Sequence, residues 1–432
     1  MQISLKNISK IEKANIEING ITVIAGENNT GKSTVGKALW SIFNSFYNID
    51  DEIRKERKEI INKKLNNNLR ESGLFNSFFK NTNLDRLKKV FKISQIAENI
   101  IKLWEENRIE NIKIEDIKNT ILENLGENIE KNFDSIEALA EEIYDILSLD
   151  DNYIIRTHFQ DILLSEFNNQ VNSLYNKEDG EIELTVANKK IVAKINSQKV
   201  KELKSESLIK LQTKAIYIDD PNVIERVPTI SFSKNHREDL EELLFTETKK
   251  NLIENALLER KLEKINEKLE QIFNNEMIFN FKEGKVKIKN ISEDMDIRNL
   301  STGLKTFVIL KNLISNGALE KRGTLILDEP EIHLHPEWQL RFAEIIVLLQ
   351  KELDLHILLA THSPYFLRAL QVFAGNYGIA DKCKYYLAEN QENYSIISDV
   401  TDQIDLIYKK LAKPLQKLED LMYEEYWWNR NF

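Results

Sequence analysis

Residues 21–34 read ITVIAGENNTGKST. ITVIA has the apolar, β-branched composition of a strand. The residues that follow, STVGKALWSIFNSFY (33–47), place Val35, Ala38, Leu39, Ile42, Phe43 and Phe46 at helical spacing. Between them, GENNTGKS fits the pattern G-x-x-x-x-G-K-[ST] at Gly26, Gly31, Lys32 and Ser33. Glycines let backbone N–H groups close around phosphate oxygens, and the start of the following helix favours an anion. The pattern alone is weak, but its position between a strand and a helix makes it specific. Gly26, Asn28, Asn29, Thr30, Gly31, Lys32, Ser33 and Thr34 are the candidate phosphate-binding set. Lys32 is expected to reach the β/γ-phosphates and Ser33 to bind Mg²⁺.

A phosphate loop needs a second carboxylate for the cation and a group that activates water. TLILDEPEIHLHP (324–336) supplies both, as an apolar strand ending in Asp328-Glu329. Asp328 is expected to complete the Mg²⁺ shell and Glu329, one residue on, to act as general base. The turn could instead use Glu329 merely as a cap. His333 and His335 alone, with no thiolate or third donor nearby, are thin grounds for zinc. LLATHSP (358–364) repeats the design: an apolar strand ends in Thr361-His362, where the imidazole could donate to a γ-phosphate or simply sit in a helix-starting turn. In NLSTGLKT (299–306), Ser301 and Gly303 offer a hydroxyl and backbone amides at a helix start, which suits an anion or an ordinary cap.

The rest of the 432-residue chain separates by texture. Residues 1–25 alternate apolar and polar positions in short runs, a small antiparallel set feeding the loop. From 48 to 168 the text becomes Lys/Glu/Asn-rich with helical spacing and almost no Gly or Pro, an expected helical insertion. Its halves differ in charge: residues 51–100 hold 12 Lys/Arg against 7 Asp/Glu, and 101–150 hold 5 against 14. That asymmetry fits either two helical layers packing together or a basic face for a partner. EIELTVANKKIVAKI (181–195) reads as a hairpin around Ala187-Asn188, and KAIYIDDP (214–221) as a strand stopped by Pro221. Residues 236–273 read as a stubby charged helical arm, and the tail as a helix interrupted at Pro414 that ends in Tyr423, Tyr426, Trp427, Trp428 and Phe432. The expected divisions are 1–47, 169–235 and 274–400 for an ATP-binding head, 48–168 for the insertion, 236–273 for the arm and 401–432 for the tail.

Composition narrows the class. No stretch approaches the roughly 20 uncharged apolar residues that span a bilayer, and MQISLKNISK lacks a signal core. A single cysteine, Cys383, excludes a disulfide framework within the chain and fits a reducing compartment, so a cytoplasmic protein is expected. A formal net charge of −10 argues against a broadly basic nucleic-acid surface while leaving a local groove open.

In order, GENNTGKS, NLSTGLKT, LILDEPEIHLHP and ATHSP resemble the phosphate loop, signature, Walker B strand with its following D-loop, and switch histidine of ABC-type ATPases. The DEPEIHLHP variant is similar to the RecF-like, SMC-like and OLD-like branch labelled AAA family ATPases. The resemblance implies an α/β P-loop NTPase of ABC-ATPase type, with a mixed sheet, helical insertion and short helical arm. It implies ATP hydrolysis with Mg²⁺ between two heads paired head to tail, Ser301 and Gly303 of one subunit contacting the γ-phosphate held by Lys32 of the other. Catalytic roles fall to Glu329 and His362. The signature departs from many relatives, with Thr302 and Leu304 where Gly and Gln are usual, and the glutamine loop has two candidates, Gln170 and Gln198. No Glu and Asp-x-Asp pattern of a TOPRIM nuclease follows His362, and no Arg-x₄₋₆-His ribonuclease motif stands out. The expectation is therefore an ATP-driven homo-oligomeric switch, resembling the ATPase component of bacterial anti-phage systems, that governs a separate nuclease or toxin. A DNA-clamping repair ATPase is the second reading.

Overall fold

The computed structural model describes residues 1–71, 83–125, 133–175, 177–205, 211–225, 235–245, 252–273, 276–281 and 283–431. Contacts divide it into two compact units, Asn48–Thr157 and the remainder, Met1–Tyr47 with His158–Phe432. The larger unit opens with the antiparallel pair β1 (Gln2–Ile8) and β2 (Ile11–Glu17), followed by β3 (Ile21–Gly26) and helix α1 (Lys32–Ser45). Every residue of β3 is buried, as a strand covered on both faces requires. In α1 the residues at helical spacing, Val35, Ala38, Leu39 and Ile42, are buried together.

The smaller unit is helical. It contains α2 (Ile49–Glu71), α3 (Asn83–Asn111), α4 (Ile114–Leu125) and α5 (Phe133–Leu147), and α6 (Asp151–Glu166) begins in it. Its own core gathers Ile61, Leu65, Ile96, Ile100, Ile117, Ile121, Ile136 and Ile143. Arg54 bonds Glu105 and Lys64 bonds Glu142, joining the basic half to the acidic one, while Arg54 and Lys58 also bond Glu98 within the basic half itself. Lys58 and Arg54 hold the Glu98 carboxyl down at about 2. Packing of helical layers accounts for these cations without a nucleic acid.

In the larger unit follow β4 (Gly180–Val186), β5 (Lys189–Asn196), β6 (Lys199–Ser205) and β7 (Ala215–Ile218). The β4–β5 hairpin turns on Ala187 and Asn188, both at positive φ. Helices α7 (His236–Phe245) and α8 (Leu252–Ile272) come next, then a small antiparallel sheet of β8 (Met277–Asn280), β9 (Lys285–Ile288) and β10 (Met295–Asp296). Helix α9 (Thr302–Ser315) leads to β11 (Thr324–Asp328), α10 (Pro336–Leu353), β12 (His356–Thr361) and α11 (Pro364–Asn376). The hairpin β13 (Cys383–Gln391) and β14 (Tyr394–Asp399) precedes α12 (Asp405–Asn431).

Eleven strands form one mixed sheet in the order β6-β5-β4-β1-β2-β14-β13-β3-β12-β11-β7. The block β13-β3-β12-β11-β7 is parallel throughout. Its registers pair Thr361 with Ala25 and Ala360 with Asp328, which brings the carboxyl ends of β3, β12 and β11 into line. In parallel sheets that edge is where ligands bind.

Two elements differ in character from their sequence reading. The stretch expected as a helical arm is helical, but Leu240, Leu244, Leu262, Ile265, Leu269 and Ile272 are buried in the main core with Phe307 and Leu313 of α9 and Ile345 of α10. Helix α12 continues through Pro414 instead of breaking there; the missing N–H costs the Lys410 carbonyl its intrahelical bond. The aromatic side chains from Tyr423 to Phe432 lie outside the described side chains. Among the described residues, no helix is long and apolar enough to cross a membrane.

Candidate nucleotide-binding site

The loop after β3 is shaped by backbone conformations that only certain residues tolerate. Gly31 sits at φ 83°, and a Cβ there would stand 2.7 Å from Ile11 Cγ1. A Cβ on Gly26 would meet the Ala388 carbonyl at 2.4 Å. Asn29 at φ 61° is the kind of non-glycine residue that accepts this region. Thr30 Oγ1 donates to the Glu27 carbonyl at 2.8 Å and Lys10 Nζ to the Asn29 carbonyl at 3.0 Å, closing the loop, while Asn28 points into solvent. Helix α1 starts at Lys32 with no side-chain cap and no acidic residue in its first turn. Its amide dipoles are left for an external anion.

Lys32 is buried, and its ammonium donates to the carbonyls of Gly26 at 3.2 Å and Glu27 at 2.9 Å. The same nitrogen lies 3.6 Å from Glu329 Oε1. Glu329 Oε1 is in turn 3.4 Å from His362 Nδ1. Glu329 is therefore the meeting point of three motifs. It gets there through φ 48°, the left-handed region that costs a β-carbon-bearing residue about 1–2 kcal/mol. The strain turns the chain just past β11 while the Glu329 N–H stays bonded to the Ala360 carbonyl at 2.9 Å.

Asp328 ends β11 one residue earlier. Its Oδ2 accepts a hydrogen bond from Tyr217 Oη at 3.0 Å, and the Ser33 hydroxyl lies close enough to favour the ionised carboxylate. Its Oδ1 is buried without a hydrogen-bond partner. Burial raises the Asp328 carboxyl, against the opposing effect of Ser33 and Tyr217. A desolvated carboxylate with one free oxygen beside a serine hydroxyl suits a small divalent cation, so these residues fit Mg²⁺.

Sequence reasoning missed three supporting residues. Glu331, buried, accepts from Thr361 Oγ1 and, at 3.3 Å, from the His362 N–H, tying the DEPE turn to the end of β12. Gln339 Nε2 donates to the Leu334 carbonyl at 3.1 Å and its Oε1 accepts from Ser363 at 2.9 Å. Tyr217 was legible in principle, because a tyrosine inside the fully buried strand AIYI must find a partner for its hydroxyl. Nothing in the spacing of the motifs links it with a carboxylate 111 residues away.

The signature segment is placed differently. Ser301 is exposed and N-caps α9, accepting from Leu304 N at 3.5 Å. Gly303 is buried; a Cβ there would stand 2.8 Å from the His333 carbonyl. Among the described residues, no hydrogen bond or ion pair joins Ser301 or Gly303 to the phosphate loop of the same chain. His335 serves as the N-cap of α10, its Nδ1 accepting from Glu337 N at 3.4 Å, and His333 is exposed. Gln198 Oε1 accepts the N–H groups of Val171 at 2.6 Å and Asn172 at 3.0 Å, which employs that side chain locally, and Gln170 is exposed.

A family model described as the AAA ATPase domain matches residues 1–367. Among solved structures, the SMC head domain from Thermotoga maritima aligns over 92% of this chain and 98% of its own, at 10% identity and a TM-score of 0.39. An SmcHead bound to the C-winged helix domain of ScpA aligns over 92% and 97%, at 12% identity and 0.42. A Smc head domain with an extended coiled coil, bound to the C-terminal domain of ScpA derived from Pyrococcus furiosus, aligns over 98% of each chain, at 12% identity and 0.35.

Proposed function

The chain belongs to the AAA ATPase domain family, and from that premise we propose that it binds and hydrolyses ATP as a molecular switch. The observation that carries the proposal is the convergence of Lys32, Glu329 and His362 within 3.4–3.6 Å contacts, beside Asp328 and Ser33, at the carboxyl edge of the parallel block. The amides from Gly26 to Thr34 cradle the phosphates. Lys32 exchanges its Glu27 and Glu329 contacts for the β/γ-phosphates, which frees the Glu329 carboxylate to accept a proton from the attacking water. Ser33 and Asp328 hold Mg²⁺, which, when bound, spreads the charge of the phosphates. His362, held through Glu331, donates to the γ-phosphate.

Ser301 is solvent-facing at a helix start and makes no contact with its own loop, which supports the paired-head reading. In that reading Ser301 and Gly303 complete the site of a second copy. Ile332, just beyond β11, and Tyr365, at the start of α11, are exposed at 55% and 68%. Opening and closing of such a pair is a two-state element that ATP can bias.

The DEPEIHLHP resemblance further supports a sensor or regulator ATPase of a bacterial anti-phage system, acting on a separate effector. The test is a plaque assay with the chain and its encoded neighbours. Protection lost in Glu329→Gln and Lys32→Ala supports the switch, and equal protection by both variants overturns it. The DNA-clamp alternative predicts DNA retention that falls steeply with salt. The ion-paired cations of the helical unit weigh against it.

A further inference from the structure

We propose that Tyr217 is a positioning residue for the cation-holding carboxylate: its hydroxyl engages Asp328 Oδ2 and so leaves Oδ1 free for the metal. This rests on Asp328 holding the cation and adds a residue that lies outside all four sequence motifs.

Tyr217 lies in β7, beside β11, in register with Ile326. Asp328 is two residues beyond Ile326, on the same face of the sheet, where a side chain as long as tyrosine reaches it. The hydroxyl meets Asp328 Oδ2 at 3.0 Å, and the residue is 1% exposed. The tyrosine hydroxyl cannot turn to water instead.

The ring is held from two sides. It stacks on the His236 imidazole with centroids 4.2 Å apart and planes at 23°. His236 is itself pinned: Nδ1 is 2.7 Å from Glu166 Oε1, its N–H donates to Glu166 Oε2 at 3.1 Å, and Nε2 lies 3.1 Å from Asp219 Oδ2. Arg237 grips Asp219 from the other side, at 3.0 Å through Nε and 2.6 Å through Nη2. The second contact is Gly36 on α1, the helix that carries Ser33. A Cβ at Gly36 would stand 3.1 Å from Tyr217 Cζ and Oη and 3.1 Å from Ile326 Cγ2, so the absent side chain makes the passage for the phenol.

Side chains that orient a metal ligand from behind typically change metal affinity 10- to 100-fold when removed. Tyr217→Phe keeps the ring, its stack and its volume, and removes one oxygen. The experiment measures Mn²⁺ affinity of the ADP complex by electron paramagnetic resonance, together with ADP affinity and melting temperature in EDTA. The expected result for Tyr217→Phe is an Mn²⁺ affinity weakened about tenfold or more, with metal-free ADP affinity and melting temperature close to wild type. Asp328→Asn serves as the reference for the reading beneath it. Weakened Mn²⁺ binding in Asp328→Asn with unchanged binding in Tyr217→Phe overturns the positioning role alone. Unchanged binding in both overturns the cation assignment itself and the positioning role with it. A parallel loss of metal-free ADP affinity and melting temperature in Tyr217→Phe makes the hydroxyl structural and also overturns the proposal. Should that variant fail to fold, Gly36→Ala displaces the phenol without removing it. It is expected to weaken Mn²⁺ more than metal-free ADP, and an equal effect on both contradicts the positioning role.

Discussion

Glu329 shows how much of the site is decided by one residue. Its backbone conformation is unfavourable for any residue with a β-carbon, while its carboxylate meets Lys32 and His362. The two roles separate by mutation. Glu329→Ala and Glu329→Gly both lose the carboxylate, and only glycine relieves the backbone. The glycine variant is therefore expected to be more stable than the alanine variant by about 1 kcal/mol in urea unfolding; equal midpoints would mean the backbone is not strained. His236 makes a second residue-scale prediction. Burial opposes its charge, but the bonds with Asp219 and Glu166 win and raise its pKa above the ordinary 6.5. A raised folded pKa means that this stabilisation is complete below pH 6.5 and is lost as pH rises through the folded value. The stability gap between wild type and His236→Gln should thus narrow as pH increases from 6.5 upward. A gap that widens would give His236 the opposite shift.

At the scale of elements, the strand–loop–helix around residues 21–34 was fully legible. A mostly apolar β3, a positive-φ glycine and helical spacing in α1 are local properties, and local properties are written consecutively in the sequence. The strand ends at Asp328 and Thr361 were legible for the same reason. What joined them was not: Glu331 to Thr361 and Tyr217 to Asp328 are contacts across strand neighbours, set by sheet order that no single segment encodes. The charged stretch 236–273 illustrates the opposite error of emphasis. Its Lys and Glu residues suggested a stubby arm, whereas its leucines and isoleucines are buried with residues of α9 and α10. Charge on one face of a helix says nothing about where the other face packs. Leu269→Ala is accordingly expected to cost about 2–5 kcal/mol, read by urea unfolding; an arm would tolerate it within ~0.5 kcal/mol. Gly31→Ala, with a positive φ and Ile11 in the way of the new methyl, should abolish ATP binding measured by calorimetry even if the chain still folds.

For the whole molecule, the central claim is that one composite site hydrolyses ATP and that its two halves come from two copies. Lys32 and Glu329 lie together in one chain, whereas Ser301 is exposed and, among the described residues, makes no hydrogen bond or ion pair with them. Lys32→Ala and Ser301→Arg subunits, each inactive alone, should therefore regain up to a quarter of wild-type turnover when mixed at equal amounts with exchange verified, because a mixed pair keeps one intact site. The catalytic half of that site is tested most directly by single-turnover hydrolysis of bound ATP by Glu329→Gln, followed beside its equilibrium ATP affinity. If Glu329 is the general base, affinity stays within about threefold of wild type and the hydrolysis rate falls at least ~100-fold, the range of a lost general base. A rate near wild type would remove Glu329 from the chemistry and contradict the site as described.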